Sequence, residues 1–242
     1  MTIRMQKEVK EMEDWSVGVM VKKQNTEHQT LNIKNMNHAF TLPNSGHNFD
    51  AKASKMGMWL FLYTELLLFG GLFLVYMVYR SMYPDEFLLA SFNLNVWMGT
   101  FNTVILLTSS MTIAMSITAL QKGNKKLSIN LMWITIAAAI GFLVIKYFEW
   151  GAKFDHGLFP GMDHFNALPT GERLYFYLYF FMTGLHGLHV IIGGIFILFV
   201  ISGVKKGTVT PERYSLSENA GLYWHLVDLI WIYLFPLFYL IH

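Results

Sequence analysis

The residues best suited to chemistry are histidines and a carboxylate that lie inside apolar stretches of the chain. His186 and His189 are three residues apart, and so are His225 and Asp228, so each pair shares a helical face. A carboxylate beside a histidine can orient a ligand to a metal ion or haem. Three histidines and one aspartate on two helices can also satisfy one another as hydrogen-bonding groups between helices. We favour this second, structural interpretation.

Glu65 is the single ionisable residue in the first long apolar stretch. It lies about two turns into that stretch, too deep for a short side chain to reach water easily. An ionisable group at such depth is costly and marks a functional site by default. We therefore interpret Glu65 as a site of contact with a lipid headgroup, a proton or a partner subunit. The alternative is a protonated carboxyl that bonds a neighbouring helix.

Lys146 and Glu149 end the third apolar stretch and are also three residues apart. This spacing predicts an ion pair within one helix, close to the membrane interface. Binding of a lipid headgroup is the alternative.

The composition excludes several kinds of protein. Only 14% of the 242 residues are charged and 54% are hydrophobic, whereas a soluble domain carries about 25% charged residues. Without cysteine, the chain has no thiolates for a binuclear copper centre, an Fe–S cluster or c-type haem attachment. A net charge of +2 without a basic run argues against a nucleic-acid partner. Three intramembrane histidines are too few for an oxygen-reducing haem–copper site, which excludes such a site on this chain.

Five apolar segments are long enough to cross a bilayer, which takes about 20 residues. They lack the period-two alternation of a membrane barrel. We therefore predict an all-α bundle of five transmembrane helices at residues 58–79, 96–120, 129–150, 175–201 and 219–241. Residues 56–242 form this membrane domain. Residues 1–55 form a polar tail with a helix-compatible start at residues 5–15, a loose stretch near Pro43 and no signal peptide.

Basic residues predict the orientation of the bundle. The tail and two alternate loops carry most of them: Arg4, Lys7, Lys10, Lys22, Lys23, Lys34, Lys52, Lys55, Lys122, Lys125, Lys126, Lys205, Lys206 and Arg213. The opposite side has only Arg80, Lys153 and Arg173. Because cytoplasmic loops carry the excess of Lys and Arg, we predict a cytoplasmic N-terminus and an external C-terminus.

Several motifs together resemble a known family. The most specific are residues 183–193, TGLHGLHVIIG, and residues 223–231, YWHLVDLIW. Supporting matches are the glutamate motif around Glu65, Asn102-Thr103 with Ser109-Ser110, Gly123-Asn124-Lys125-Lys126, and Glu149 followed by an aromatic residue. From about Met56 to the C-terminus, the chain resembles cytochrome c oxidase subunit 3, the third subunit of the haem–copper oxidases, in its five-helix bacterial form.

This resemblance implies a bundle with a V-shaped cleft that holds phospholipids, docked against the catalytic subunit. Glu65 would be the buried carboxyl beside the cleft, close to an oxygen-entry route. The residues expected along this lipid and oxygen path are Glu65, Trp59, Asn102, Lys146 and Glu149. The residues expected to form an internal hydrogen-bond network are His186, His189, His225 and Asp228.

The resemblance also implies a function. The chain would be the non-catalytic third subunit of a respiratory terminal oxidase, of the aa3 or caa3 cytochrome c oxidase type, in the bacterial cytoplasmic membrane. It would support aerobic electron transport by binding phospholipids, stabilising the catalytic subunit and sustaining proton uptake. Its partners would be subunits 1 and 2, which carry the haem and copper, and this chain itself would hold no haem, copper or other metal. Membership of a larger respiratory supercomplex stays open.

Two departures from the family pattern matter. Lys146 stands where the family often has glutamine, so a distinct salt bridge is expected here. The polar tail has no counterpart that we can match, and its role is open.

Three other functions stay open from the sequence. A quinol oxidase subunit 3 is the nearest alternative, although such subunits often carry aspartate where this chain has Glu65. A b-type cytochrome would hold haem between His186 or His189 and His225. A proton-coupled transporter using Glu65, Glu149 and Asp228 is least favoured, because neither inverted repeats nor broken helices are evident.

Overall fold

A computed structural model describes residues 7–8, 10, 14–27 and 45–241. The chain divides into two compact units, Met1–Lys52 and Ala53–His242. In the first unit, residues 14–27 are helical (α1), as are the described members of the predicted helix at residues 5–15. The predicted loose stretch near Pro43 lies outside the described residues.

Seven further helices follow: α2 Ser45–Met82, α3 Pro84–Ser91, α4 Val96–Gln121, α5 Lys125–Asp155, α6 Asp163–Ala167, α7 Thr170–Lys206 and α8 Ser215–Tyr239. Five are long and apolar enough to cross a membrane: α4, α5, α7, α8 and the Ala53–Met82 part of α2. The five predicted spans are thus confirmed, and the chain is a multi-pass membrane protein. The sequence prediction missed the short helices α3 and α6.

Capping residues set several of the helix ends. The Asn95 side chain accepts hydrogen bonds from the backbone N–H groups of Trp97 (3.0 Å) and Met98 (3.4 Å), which caps the start of α4. Asn124 caps α5 in the same way through the N–H of Leu127. Gly207 ends α7 at φ +76°, a left-handed conformation that glycine adopts without a steric penalty.

Helices α4, α5, α7 and α8 form the core of the membrane domain. Trp224 and Trp231 of α8 are fully buried, and Trp231 meets Phe142 of α5 edge to face at 4.8 Å. Glycine permits the close approach of α7 to α8, because a Cβ at Gly193 would lie 3.0 Å from the rings of Trp224 and Tyr223.

Helix α2 is peripheral to this core. In its most apolar 18-residue segment only 11% of the residues are buried, against 33–50% in the corresponding segments of the other four membrane helices. Polar contacts connect it to the core at three positions along its length. Asn219 and Glu218 of α8 bond Ser54 and Lys55, Glu65 bonds α7, and Tyr76 bonds the end of α8.

Hydroxyl groups from three elements satisfy the C-terminal end of α8. The last carbonyls of a helix have no partner within it, and an unsatisfied carbonyl in an apolar region costs several kcal/mol. Here two of them accept hydrogen bonds, Leu237 from Tyr76 of α2 (2.6 Å) and Phe238 from Tyr175 of α7 (2.7 Å). The carbonyl of Ile241, two residues past the helix, accepts one from Ser91 of α3 (2.9 Å). These contacts join α2, α3, α7 and α8 at one end of the domain, which we call the α3 side. The orientation prediction makes it the outer side.

Candidate functional site

The first polar site lies between α2 and α7, where Glu65 meets His189. Glu65 Oε2 is 2.9 Å from His189 Nε2, and His189 Nδ1 is 2.7 Å from the backbone oxygen of Leu185. A carbonyl only accepts, so Nδ1 carries a proton and donates it. The Nε2–Oε2 bond therefore holds one further proton, on the ring or on the carboxyl. The site is either an imidazolium–carboxylate pair or a neutral pair.

The Glu65–His189 pair is largely enclosed but not sealed. The two side chains are 14% and 9% exposed, and Phe69 meets the imidazole edge on at 5.4 Å. The contact with a neighbouring helix, one of the two interpretations of Glu65, is therefore present. A role for Glu65 towards lipid, oxygen or protons stays a prediction.

The second polar site is the Lys146 cluster, made of Lys146 and Glu149 on α5, Tyr179 on α7 and Tyr239 on α8. The predicted ion pair is confirmed, with Lys146 Nζ 3.1 Å from Glu149 Oε2. Both phenols donate to Glu149 Oε1, Tyr179 at 2.9 Å and Tyr239 at 2.6 Å. Lys146 also donates to Tyr239 at 2.6 Å. Both charged residues are buried, with 7% and 2% of their surface exposed.

Aromatic faces complete the surroundings of the Lys146 ammonium. It lies 4.9 Å from the ring centroid of Trp231 and 5.2 Å from those of Tyr179 and Tyr239. A buried ion pair is tolerated only with good geometry and further hydrogen bonds, and this one has both. The sequence analysis missed the two tyrosines. Their signal was a phenol inside an apolar helix, because a buried Tyr O–H normally finds a polar partner.

The four residues expected to form one internal network lie apart. His189 bonds Glu65 of α2, while His225 Nδ1 lies 2.6 Å from Ser110 Oγ of α4. His186 and Asp228 make no side-chain hydrogen bond within the described residues, although Ser110 lies near the Asp228 carboxyl. Across the described part of the chain, no hydrogen bond joins any two of the four. The side-chain hydrogen bonds of His225 and His189 connect α8 to α4 and α7 to α2.

His186 explains why spacing alone did not settle this pairing. It lies against two aromatic rings, Phe142 at 5.5 Å and Trp231 at 5.2 Å. A step of three residues turns the helix by 300°, so the His186 and His189 side chains point about 60° apart. One therefore reaches the core and the other reaches α2.

The remaining predicted site residues differ in exposure. Asn102 of α4 is fully buried, and its amide has no hydrogen-bond partner among the described residues. Trp59 is 61% exposed on α2. The shared lipid and oxygen path of these residues stays a prediction. Among the described residues, no group of three His, Asp or Glu is placed to hold a metal ion. The absence of a resident cofactor stays an expectation.

Grooves lie between neighbouring helices of the membrane domain. One of about 610 Å³ runs between α5 and α7, and its lining includes Lys146 and Thr183 but not Glu65. Another, of about 330 Å³, lies between α4 and α5 and is lined by Trp97, Met98, Phe101, Ile145 and Phe148.

Comparison with known proteins places these features in a family. The family model described as cytochrome c oxidase subunit III matches residues 17–242, which include all five membrane helices. A cytochrome c oxidase subunit 3 from Thermostichus vulcanus is 33% identical over 77% of this chain and 86% of its own length. A quinol oxidase subunit 3 from Bacillus spizizenii is 30% identical, over 76% of this chain and 85% of its own length.

A longer relative is also similar. A protein named haem–copper oxidase subunit I+III, from Aeropyrum pernix, is 31% identical over 77% of this chain. The match covers 22% of that protein, so the chain spans about a fifth of this relative's length.

Proposed function

Because the chain belongs to the cytochrome c oxidase subunit III family, we propose that it is the non-catalytic third subunit of a respiratory haem–copper oxidase that takes electrons from cytochrome c. The family match through all five membrane helices carries this proposal. Haem and copper belong to the partner subunits 1 and 2. The complex lies in a bacterial cytoplasmic membrane, with the N-terminus of this chain inside.

Association with subunit 1 has independent support from one relative. The name of the Aeropyrum pernix protein gives it both subunit I and subunit III. Two proteins that occur as one chain elsewhere are good candidates to bind each other as separate chains. We therefore propose direct contact between this chain and the catalytic subunit.

This chain contributes packing and lipid binding to the complex rather than redox chemistry. Its charged groups fix the arrangement of the helices, and its exposed apolar surface meets lipid and the partner. Helix α2 suits such contacts, because most of its surface is exposed and polar bonds hold it to the core. By stabilising the catalytic subunit and ordering phospholipids, the chain sustains proton uptake during turnover.

The quinol oxidase is the second candidate, since the Bacillus spizizenii relative is almost as similar as the Thermostichus vulcanus one. Glu65 favours cytochrome c as the donor. Steady-state oxidation of reduced cytochrome c and of a quinol by the purified complex separates the two.

Co-purification tests the proposal. The full chain with an affinity tag is expected to retain, in mild detergent, a polypeptide that binds haem and copper. Recovery of the intact, folded chain without such a polypeptide from aerobically grown cells would contradict the proposed function.

A further inference from the structure

The groove between α5 and α7, which we call the α5–α7 groove, is kept open by glycine. Gly151 of α5 and Gly184 and Gly187 of α7 are part of its lining. A Cβ at Gly151 would meet nothing within 4 Å, and one at Gly187 would meet only Leu143, at 3.9 Å. The missing side chains at Gly151 and Gly187 therefore leave space in the groove. Gly184 instead permits the close approach of Trp150, whose ring would lie 3.1 Å from a Cβ at that position.

The lining offers a ligand no free charge. Lys146 is its charged member, but Glu149 and Tyr239 already bond the ammonium. The Thr183 hydroxyl donates to the backbone oxygen of Tyr179 at 2.6 Å. The other lining residues are glycine, aromatic or aliphatic. The occupant is therefore apolar along the groove.

The length of the groove fits one leaflet of a bilayer. Its α5 wall runs from residue 142 to residue 154, about 18 Å along the helix axis, close to the roughly 15 Å of hydrocarbon in one leaflet. An acyl chain of a phospholipid spans this depth, whereas a transmembrane helix continues through both leaflets, about 30 Å. The length of the groove therefore matches an acyl chain.

Aromatic residues mark the end of the groove near the membrane surface. Trp150 and Phe154 lie in the last two turns of α5, on the α3 side. Tryptophan is enriched at the level of the lipid headgroups. We propose that the α5–α7 groove binds one acyl chain of a membrane phospholipid, aligned with the two helices, with its headgroup on the α3 side. This site deepens the lipid-binding part of the proposed function and rests on it.

Photolabelling of the purified complex tests this site. The complex is reconstituted with phosphatidylcholine that carries a diazirine in one acyl chain, and labelled peptides are identified by mass spectrometry. We expect residues 142–154 and 183–191 to be labelled more densely than the exposed surface of α4. Equal labelling of these surfaces, or cross-links from the groove segments to a partner subunit, would overturn the assignment.

Groove-filling variants sharpen the test. Gly151→Leu combined with Gly187→Leu places two side chains in the groove and is expected to lose most of its labelling. The control Gly194→Leu lies on α7 outside the groove lining, also where a Cβ meets nothing within 4 Å, and should keep it. Undiminished labelling in the filled groove would contradict the proposal. If the double variant does not assemble, Gly187→Ala provides a smaller change with the same expected direction.

The co-purifying haem–copper polypeptide keeps the two proposals distinguishable. Its presence together with unlabelled groove segments would remove the lipid site and leave the subunit assignment intact. Its absence from the wild-type preparation would instead remove the proposed function.

Discussion

The Lys146 cluster and the Glu65–His189 pair place ionisable groups in the same bundle in different surroundings. Lys146 and Glu149 are buried in the core, and two phenols and three aromatic faces surround them. Among the described residues, the side chain of Glu65 bonds His189 at the edge of the core, and 14% of it is exposed. An ionisable group that its own chain surrounds with partners stabilises the fold. An ionisable group with one partner and an exposed side can also contact lipid or another subunit.

The largest expected effect is from Lys146→Met, which leaves the Glu149 carboxylate buried without its counter-ion. Removing one member of a buried pair costs about 3–5 kcal/mol. We expect a loss of that order in the free energy of unfolding, measured by denaturant titration of the detergent-solubilised chain with circular dichroism. Lys126→Met changes an exposed lysine and should shift the value by less than about 0.5 kcal/mol. Equal effects in the two variants would show that the Lys146 pair does not stabilise the fold.

Tyr239→Phe is expected to have the next largest effect. It removes the O–H that donates to Glu149 and accepts from Lys146 while keeping the ring. Hydrogen bonds to charged groups contribute about 1.5–3 kcal/mol, so the same titration should show a loss in that range. Tyr233→Phe on the same helix, with Tyr233 59% exposed, is the matched control. No difference between the two variants would mean that the hydrogen bonds of the Tyr239 hydroxyl do not stabilise the fold.

Glu65→Gln tests the open site and should have a smaller effect on folding. Its hydrogen bond to His189 is partly exposed, so we expect a loss of about 1 kcal/mol or less. The effect on function should exceed the effect on the fold. We expect unchanged haem content in the complex, with fewer retained phospholipids or faster inactivation during sustained turnover. Lipid phosphorus and turnover lifetime matching the wild type would remove the proposed lipid role of Glu65.

Asn102→Leu should have the smallest effect. Asn102 is fully buried, and its amide has no partner among the described residues. An apolar side chain of similar size removes an unsatisfied group, so stability should stay within about 1 kcal/mol of wild type or rise. A loss of more than about 2 kcal/mol in the free energy of unfolding would show that the Asn102 amide has hydrogen-bond partners in the native membrane, as Lys146 has in its cluster.

The sequence was informative where a single segment determines the outcome. Apolar length alone located the five membrane helices, and a spacing of three residues predicted the Lys146–Glu149 pair. The helices α3 and α6 were missed because eight and five residues are too short to produce an apolar or periodic signal.

Contacts between side chains of different helices could not be predicted from local sequence pattern. Glu65 and His189 were both recognised as unusual, yet their contact depends on how α2 and α7 rotate and dock. The phenols of Tyr179 and Tyr239 reach Glu149 for the same reason, each from a different helix. Spacing fixes which residues share a face, but packing decides which neighbour that face meets.

The most direct test of the account is the metal content of this chain once it is separated from its partners. Iron and copper analysis, with a visible absorption spectrum, should find no haem band and no stoichiometric metal on the purified chain, while the remaining complex keeps both. One haem or one copper ion per chain, lost on substitution of His186, His189 or His225, would contradict the account.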